Sequence, residues 1–206
     1  MLTKAGNKIF GNISVQSPQL IPPVIGYGSL DGTINLNSYY AYVLPFWTNT
    51  SKIISTVSYE VVTAATQTNT PTLEISAYQS HSNFLQPTTQ ITNSYISGIS
   101  TASTGVKSVS FSSSWILPVG LSLLVVKTYT ANGAGNSDFT LRSFNERSQA
   151  LVGQFYGYAS AILAFGIPCW PQLYPGNAVH LATDLTSSPQ NIYPYNNCAL
   201  GFHLGQ

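Results

Sequence analysis

The sequence predicts an all-β protein, an antiparallel β-sandwich of jelly-roll type preceded by an extended N-terminal arm. Three observations carry that expectation. Apolar residues recur with a period of two, and no segment shows a convincing period of 3.6. The runs that show it are short, spaced at roughly 8–12 residues and separated by Gly, Pro, Asn and Ser. Polarity comes from hydroxyls and amides: Ser, Thr, Asn and Gln make up about 35% of the chain, and charged residues only 6%, against about 25% in ordinary soluble domains.

Residues 1–36 read as an arm or anchor. Lys4 and Lys8 stand among Gly6 and Gly11, Ser17-Pro-Gln-Leu-Ile-Pro-Pro23 follows, and Gly26, Gly28 and Gly32 break up any regular pattern. A flexible leader with a first edge strand is the other reading of this stretch. Residues 37–206 read as the sandwich domain, because the alternation sets in at about Tyr39. From Lys52 to Thr63 it assigns Ile53, Val57, Tyr59 and Val61 to one face and Ser58 and Glu60 to the other. From Thr72 to Gln79 it turns Leu73, Ile75 and Ala77 inward and Glu74, Ser76 and Tyr78 outward. Val109 and Phe111 share a face, Pro118-Val-Gly120 makes a turn, and Leu121 to Lys127 is apolar on both faces, as a central strand is. Asn132 to Asn136 reads as a flexible loop before the strand Phe139 to Phe144. Cys198 to Leu204 reads as one last strand with Cys198, Leu200, Phe202 and Leu204 in phase.

Composition removes several classes. A net charge of +1 cannot neutralise clustered phosphates, so nucleic acid is not an expected partner. With 44% hydrophobic and 12% aromatic residues the chain can bury a core and is not disordered. No run of 18 apolar residues appears, so no membrane insertion is expected, and the first ten residues lack the continuous apolar core of a secretory signal. Cys169 and Cys198 could form one disulfide, although packed free thiols are the favoured reading.

Between Tyr39 and Asn145 the chain resembles a β-sandwich domain found near the C-terminal end of bacteriophage tail-fibre and appendage proteins. The resemblance runs in order through Tyr42-Val-Leu-Pro-Phe-Trp47, Val57-Ser-Tyr-Glu-Val-Val-Thr-Ala64 and Leu73-Glu-Ile-Ser-Ala-Tyr78. It continues through Thr104-Gly-Val-Lys-Ser-Val-Ser-Phe111, Leu117-Pro-Val-Gly-Leu121 and Leu141-Arg-Ser-Phe-Asn145. The family's Gly-rich bend is replaced by His81-Ser-Asn-Phe-Leu-Gln-Pro87, and the arm before Tyr39 has no counterpart. The resemblance implies a non-enzymatic virion protein, a homotrimer at a tail-fibre tip or appendage. It would join other virion proteins through its arm and contact a host-surface glycan. A capsid decoration or cement protein, and a soluble carbohydrate-binding module, are the alternatives.

Chemistry-bearing residues are sparse. Asp31, Glu60, Glu74, Asp138, Glu146 and Asp184 are the carboxylates. Glu60 and Glu74 stand on strands that could be neighbours and so invite comparison with the paired carboxylates of glycoside hydrolysis. Placed on the solvent face, they read instead as solubilising charges that discourage edge pairing. Asp138 and Asp184 could each offer one oxygen to calcium, too few for a site. His81, His180 and His203 lack metal-ligand spacing and read as hydrogen-bonded loop or strand residues. No Gly-x-Ser-x-Gly elbow or phosphate loop occurs, so neither catalysis, nor a metal, nor a cofactor is expected.

Aromatic residues are the one abundance, with 13 Tyr, 9 Phe and 3 Trp. Several fall in Ile167-Pro-Cys-Trp-Pro-Gln-Leu-Tyr-Pro-Gly176 and Asn191-Ile-Tyr-Pro-Tyr-Asn-Asn197, which read as Pro-fixed loops. The binding candidates are therefore Trp170, Tyr174, Tyr193, Tyr195, Asn196 and Asn197. They would serve subunit packing or stack on sugar rings, or else close the end of the sandwich.

Overall fold

The computed structural model describes residues 29–38, 40–66, 70–81, 84–129, 136–145, 168–171, 180–184, 193–194 and 198–206. Among these residues nine strands run as far as Asn145: β1 (Ser29–Asn37), β2 (Tyr40–Thr48), β3 (Lys52–Thr63), β4 (Thr72–His81), β5 (Phe84–Gln90), β6 (Ile96–Ser100), β7 (Gly105–Leu117), β8 (Gly120–Tyr129) and β9 (Asn136–Asn145). Four short ones follow: β10 (Pro168–Pro171), β11 (Tyr193–Pro194), β12 (Cys198–Leu200) and β13 (His203–Gly205). No helix occurs among the described residues.

The strands pair antiparallel, the first part of the chain against the later part in reverse order. β1 pairs with β9, β2 with β8, β3 with β7, and β4 with β5 and β6. Contacts of β3 with β9 and of β4 with β8 then join these pairs into a six-stranded and a seven-stranded sheet. Nested pairing spread over two facing sheets is the winding of a jelly roll. The predicted sandwich is therefore present, and β8 is central in its sheet, as its two apolar faces required.

One core fills the space between the sheets. It takes Tyr42, Leu44 and Phe46 from β2, Leu73, Ile75 and Ala77 from β4, Leu124 and Val126 from β8, and Phe139 and Leu141 from β9. From β3 come Ile54, Val57, Tyr59 and Val61. Ile53, expected inside, is 63% exposed. The reason is a bulge: Ile54 pairs with Trp115 and Thr56 with Ser110, so Ser55 has no register partner and the inward phase shifts by one residue. The same irregularity leaves 111–114 unpaired on β7. Phe111 and Trp115 still meet in the core, edge to face at 5.7 Å.

Pro118-Val-Gly120 does turn the chain, from β7 in one sheet to β8 in the other. Gly120 has φ +99°, a conformation that only glycine adopts without strain. The predicted last strand is two strands. β12 pairs with β9, and β13 pairs with β3 at Thr56–Ser58. β9 meets β3 only around Val61–Thr63, so the two diverge beyond that point and the C-terminal segment lies in the fork. It carries Leu200, Phe202 and Leu204 into the core, with Phe202 stacked on Tyr59 at 5.4 Å.

The arm boundary also moves. Ser29–Asn37, most of it placed in the arm, forms β1 and pairs with β9 from Ser29↔Asn145 to Asn37↔Asn136. Ile34 and Leu36 are buried in the core. Glycine and Asp in this stretch hid a strand whose inward positions are few but apolar. The rest of the arm, 1–28, lies outside the described residues.

Candidate functional site

The sequence-selected residues belong to the excursion from the end of β9 to the start of β12. Trp170 lies in β10, opposite Ala41 of β2, and Tyr193 lies in β11, opposite Cys169. The two Pro-rich stretches read as loops thus contribute backbone to the seven-stranded sheet, which they extend past β2. β10 covers β2 only at Tyr40–Tyr42, so Pro45 falls where, among the described residues, β2 has no neighbour on that side and its missing N–H is tolerated. Tyr174, Tyr195, Asn196 and Asn197 lie outside the described residues. Cys169 stands in β10 of one sheet and Cys198 in β12 of the other.

What holds this excursion to the sheet is a cluster that the sequence did not single out. Glu74 points to the outer face of β4, as alternation requires, yet it is completely buried. Residues 180–184 cross that face and cover it. The Glu74 carboxylate receives a hydrogen bond from the Leu181 N–H at 3.1 Å and contacts His180 Nδ1 through its other oxygen. Directly opposite in register stands Lys127, 2% exposed. Burial holds the Lys127 ammonium below its ordinary pKa, while the Glu74 charge opposes that shift. His180 stacks flat on Tyr129 at 4.4 Å, and Lys127 Nζ lies 5.9 Å from the same ring. Burial and the neighbouring Glu74 charge raise the pKa of Tyr95.

The strap is tied further along its length. Tyr78 donates its hydroxyl proton to the Ala182 carbonyl at 2.6 Å, and the Gln90 N–H donates to the Thr183 carbonyl at 2.9 Å. Asp184 forms a bridge with Thr89. Leu181 packs on a second apolar cluster, made of Ala41, Val43, Tyr78, Leu123 and Val125. Both faces of β8 and β2 are therefore covered, which is why β8 alternates so poorly. His180 is the hydrogen-bonded loop residue that the sequence suggested, whereas Leu181 gave no signal because it sits in a stretch without periodicity. The Glu74/Lys127 pair could have been found only by knowing that β4 and β8 are neighbours.

The two tempting carboxylates are far apart in kind and in place. Glu60 belongs to the six-stranded sheet and Glu74 to the seven-stranded one, and each lies on an outer face, with the core between them. They cannot flank one sugar ring, and their strands, which the sequence allowed to be neighbours, lie in different sheets. Glu74 is also no solvent-face charge, because the strap buries it. Glu60 makes a bidentate pair with Arg142 at 2.9 and 3.1 Å. The Arg142 hydrogen bonds hold the Glu60 carboxyl below its ordinary range. Asp138 accepts hydrogen bonds from the Thr66 N–H at 2.5 Å and the Thr66 hydroxyl at 2.9 Å, so it caps the chain leaving β3. His203 is buried in β13, and burial lowers its pKa. Among the described residues no three His, Cys, Asp or Glu side chains come together as metal ligands would.

The arrangement thus anchors a long excursion across the seven-stranded sheet and sets part of its aromatic sequence at the β2 edge. No protein-family model matches the chain, nor does any curated protein or solved structure.

Proposed function

We propose that the chain is a non-enzymatic structural protein of a phage particle, placed at a tail-fibre tip or appendage, where it contributes to adhesion to host-surface glycans. One observation carries the reading. The segments that resemble the tail-fibre family are the strands β2, β3, β4, β7, β8 and β9 and the step from β7 to β8. Their inward residues, Tyr42, Val57, Leu73, Phe111, Leu117 and Leu141 among them, meet in one core. The ordered matches therefore correspond to a folded unit rather than to scattered words. Low charge supports it as well, since contacts made of apolar and hydroxyl groups survive changes of salt. Adhesion would be multivalent: three copies per fibre, on several fibres, turn a weak sugar contact into a lasting one. The segment before Ser29 would join the rest of the particle.

A second reading, a capsid decoration or cement protein, is favoured by the jelly-roll winding itself, which recurs in viral capsid domains as well as in lectins. Antibody raised against the purified chain and imaged on intact particles by electron microscopy tests both. Label at tail tips supports the first reading and label on heads the second; particles without label overturn them. A monomer by light scattering, with sugar affinity of its own, would instead support a soluble carbohydrate-binding module.

A further inference from the structure

We infer that the groove between β6 and β7 is the glycan site, and that it selects a sugar carrying a carboxylate. The inference rests on the adhesion reading and places its contact away from the aromatic excursion. β6 and β7 are outer strands of opposite sheets, and where they come together they leave an open groove of about 440 Å³. That is within the size range of small-molecule pockets.

Its lining divides by chemistry. Ile99 and Val109, both packed against the main core, supply an apolar floor for the C–H face of a pyranose ring. Ser97, Ser100 and Ser103 add hydroxyls, each able to donate and to accept, as sugar hydroxyls also do. Among the described residues of the lining, Lys107 is the one that is charged, and none is a carboxylate. Its position is not that of an ordinary surface lysine. Alternation along β7 puts Lys107 in phase with Val109 and Phe111, the inward residues, so it points toward the opposite sheet and into the groove. There Lys107 Nζ donates to Ser103 Oγ at 2.7 Å. The floor is held in place by Tyr59, whose hydroxyl reaches the Ser100 carbonyl at 3.5 Å. A neutral sugar would satisfy the serines but offer the ammonium no opposite charge; a uronic acid would do both.

Titration of the full chain with methyl β-D-glucuronoside and methyl β-D-glucoside, followed at backbone amides by NMR, tests the inference. The glucuronoside is expected to shift amides within 96–109, and to bind roughly tenfold more tightly than the glucoside, as a charge-assisted hydrogen bond provides. Lys107→Met should abolish that preference, and Ser103→Phe, on an exposed turn, should block both sugars. An inward lysine on an edge strand can also serve to prevent strand pairing. If Lys107→Met raises the oligomer mass while sugar binding stays as it was, the inference is overturned. A glycan array separates this result from the parent reading. Array binding with a silent groove overturns the site and leaves adhesion standing, whereas a blank array overturns both.

Discussion

Glu74 shows at the scale of single residues how much depends on what covers a side chain. Its carboxylate is matched by Lys127 in register, His180 above and the Leu181 N–H. Removing one partner of such a buried set leaves a charge uncompensated, which costs about 3–5 kcal/mol. Glu74→Ala should therefore lower stability to urea by that amount and speed hydrogen exchange at the Leu181 amide. Unchanged exchange would show that the strap is held without it. Two titrating groups act in separate pH windows. The buried His203 imidazole resists a proton that the unfolded chain accepts near 6.5. Its contribution is complete above that pH and is lost as pH falls toward the lower folded value. Glu60, lowered from 4.5 by Arg142, contributes fully above 4.5 and loses its contribution as pH falls through its folded value. Urea midpoints measured from pH 8 to pH 3 should show both declines. His203→Gln should remove the upper one and Arg142→Met the lower.

Among the elements, the C-terminal strands are short but decisive, because they fill the fork between β9 and β3. Phe202, 1% exposed and stacked on Tyr59, should cost about 3–5 kcal/mol when replaced by Ala. A chain ending at residue 197 should fail to give a cooperative unfolding transition. Gly205 is confined by its neighbour, since a Cβ there would stand 2.2 Å from Thr56 Oγ1. Gly205→Ala should cost about 1–3 kcal/mol, and Thr56→Ala should restore much of it; equal stability of the single and double variants would refute the clash. Most of β3, β4, β8 and β9 was legible from alternation and turn residues. β1, β5, β6, β10 and β11 were not, because strands that are short or rich in Gly, Pro and hydroxyls carry too few apolar positions to show a period. The Ile54–Thr56 bulge was illegible for another reason, since a bulge is a relation between two strands.

For the whole molecule, the strand Ser29–Asn37 and the near absence of charge make the decisive predictions. If the proposed virion role holds, deleting 1–28 should leave a body that folds but no longer joins the particle. Deleting 1–36 also removes Ile34 and Leu36 from the core and should destabilise it by several kcal/mol, roughly 2–5 for Leu36 alone; equal melting temperatures would place β1 outside the cooperative unit. Ion pairing among the described residues includes Arg142–Glu60 and His180–Glu74, in a chain with few charges to pair. Stability should therefore change little between 0.05 and 1 M sodium chloride, by about 1 kcal/mol at most for the partly exposed Arg142 pair.

Of the candidate site, the sequence by itself yielded the aromatic excursion, and it determined the class of the fold. Period-two runs can bury one face only by pairing into sheets, and two such sheets must pack face to face. It also determined that the chain's polarity comes from hydroxyls and amides, since only 6% of its residues are charged. Tertiary structure alone decided which distant strands became neighbours. Nested pairing brought Glu74 against Lys127, drew residues 180–184 across a face that alternation marked as outer, and opened a groove where β6 meets β7. Those sites are made by pairings across the chain, and local periodicity holds no information about them.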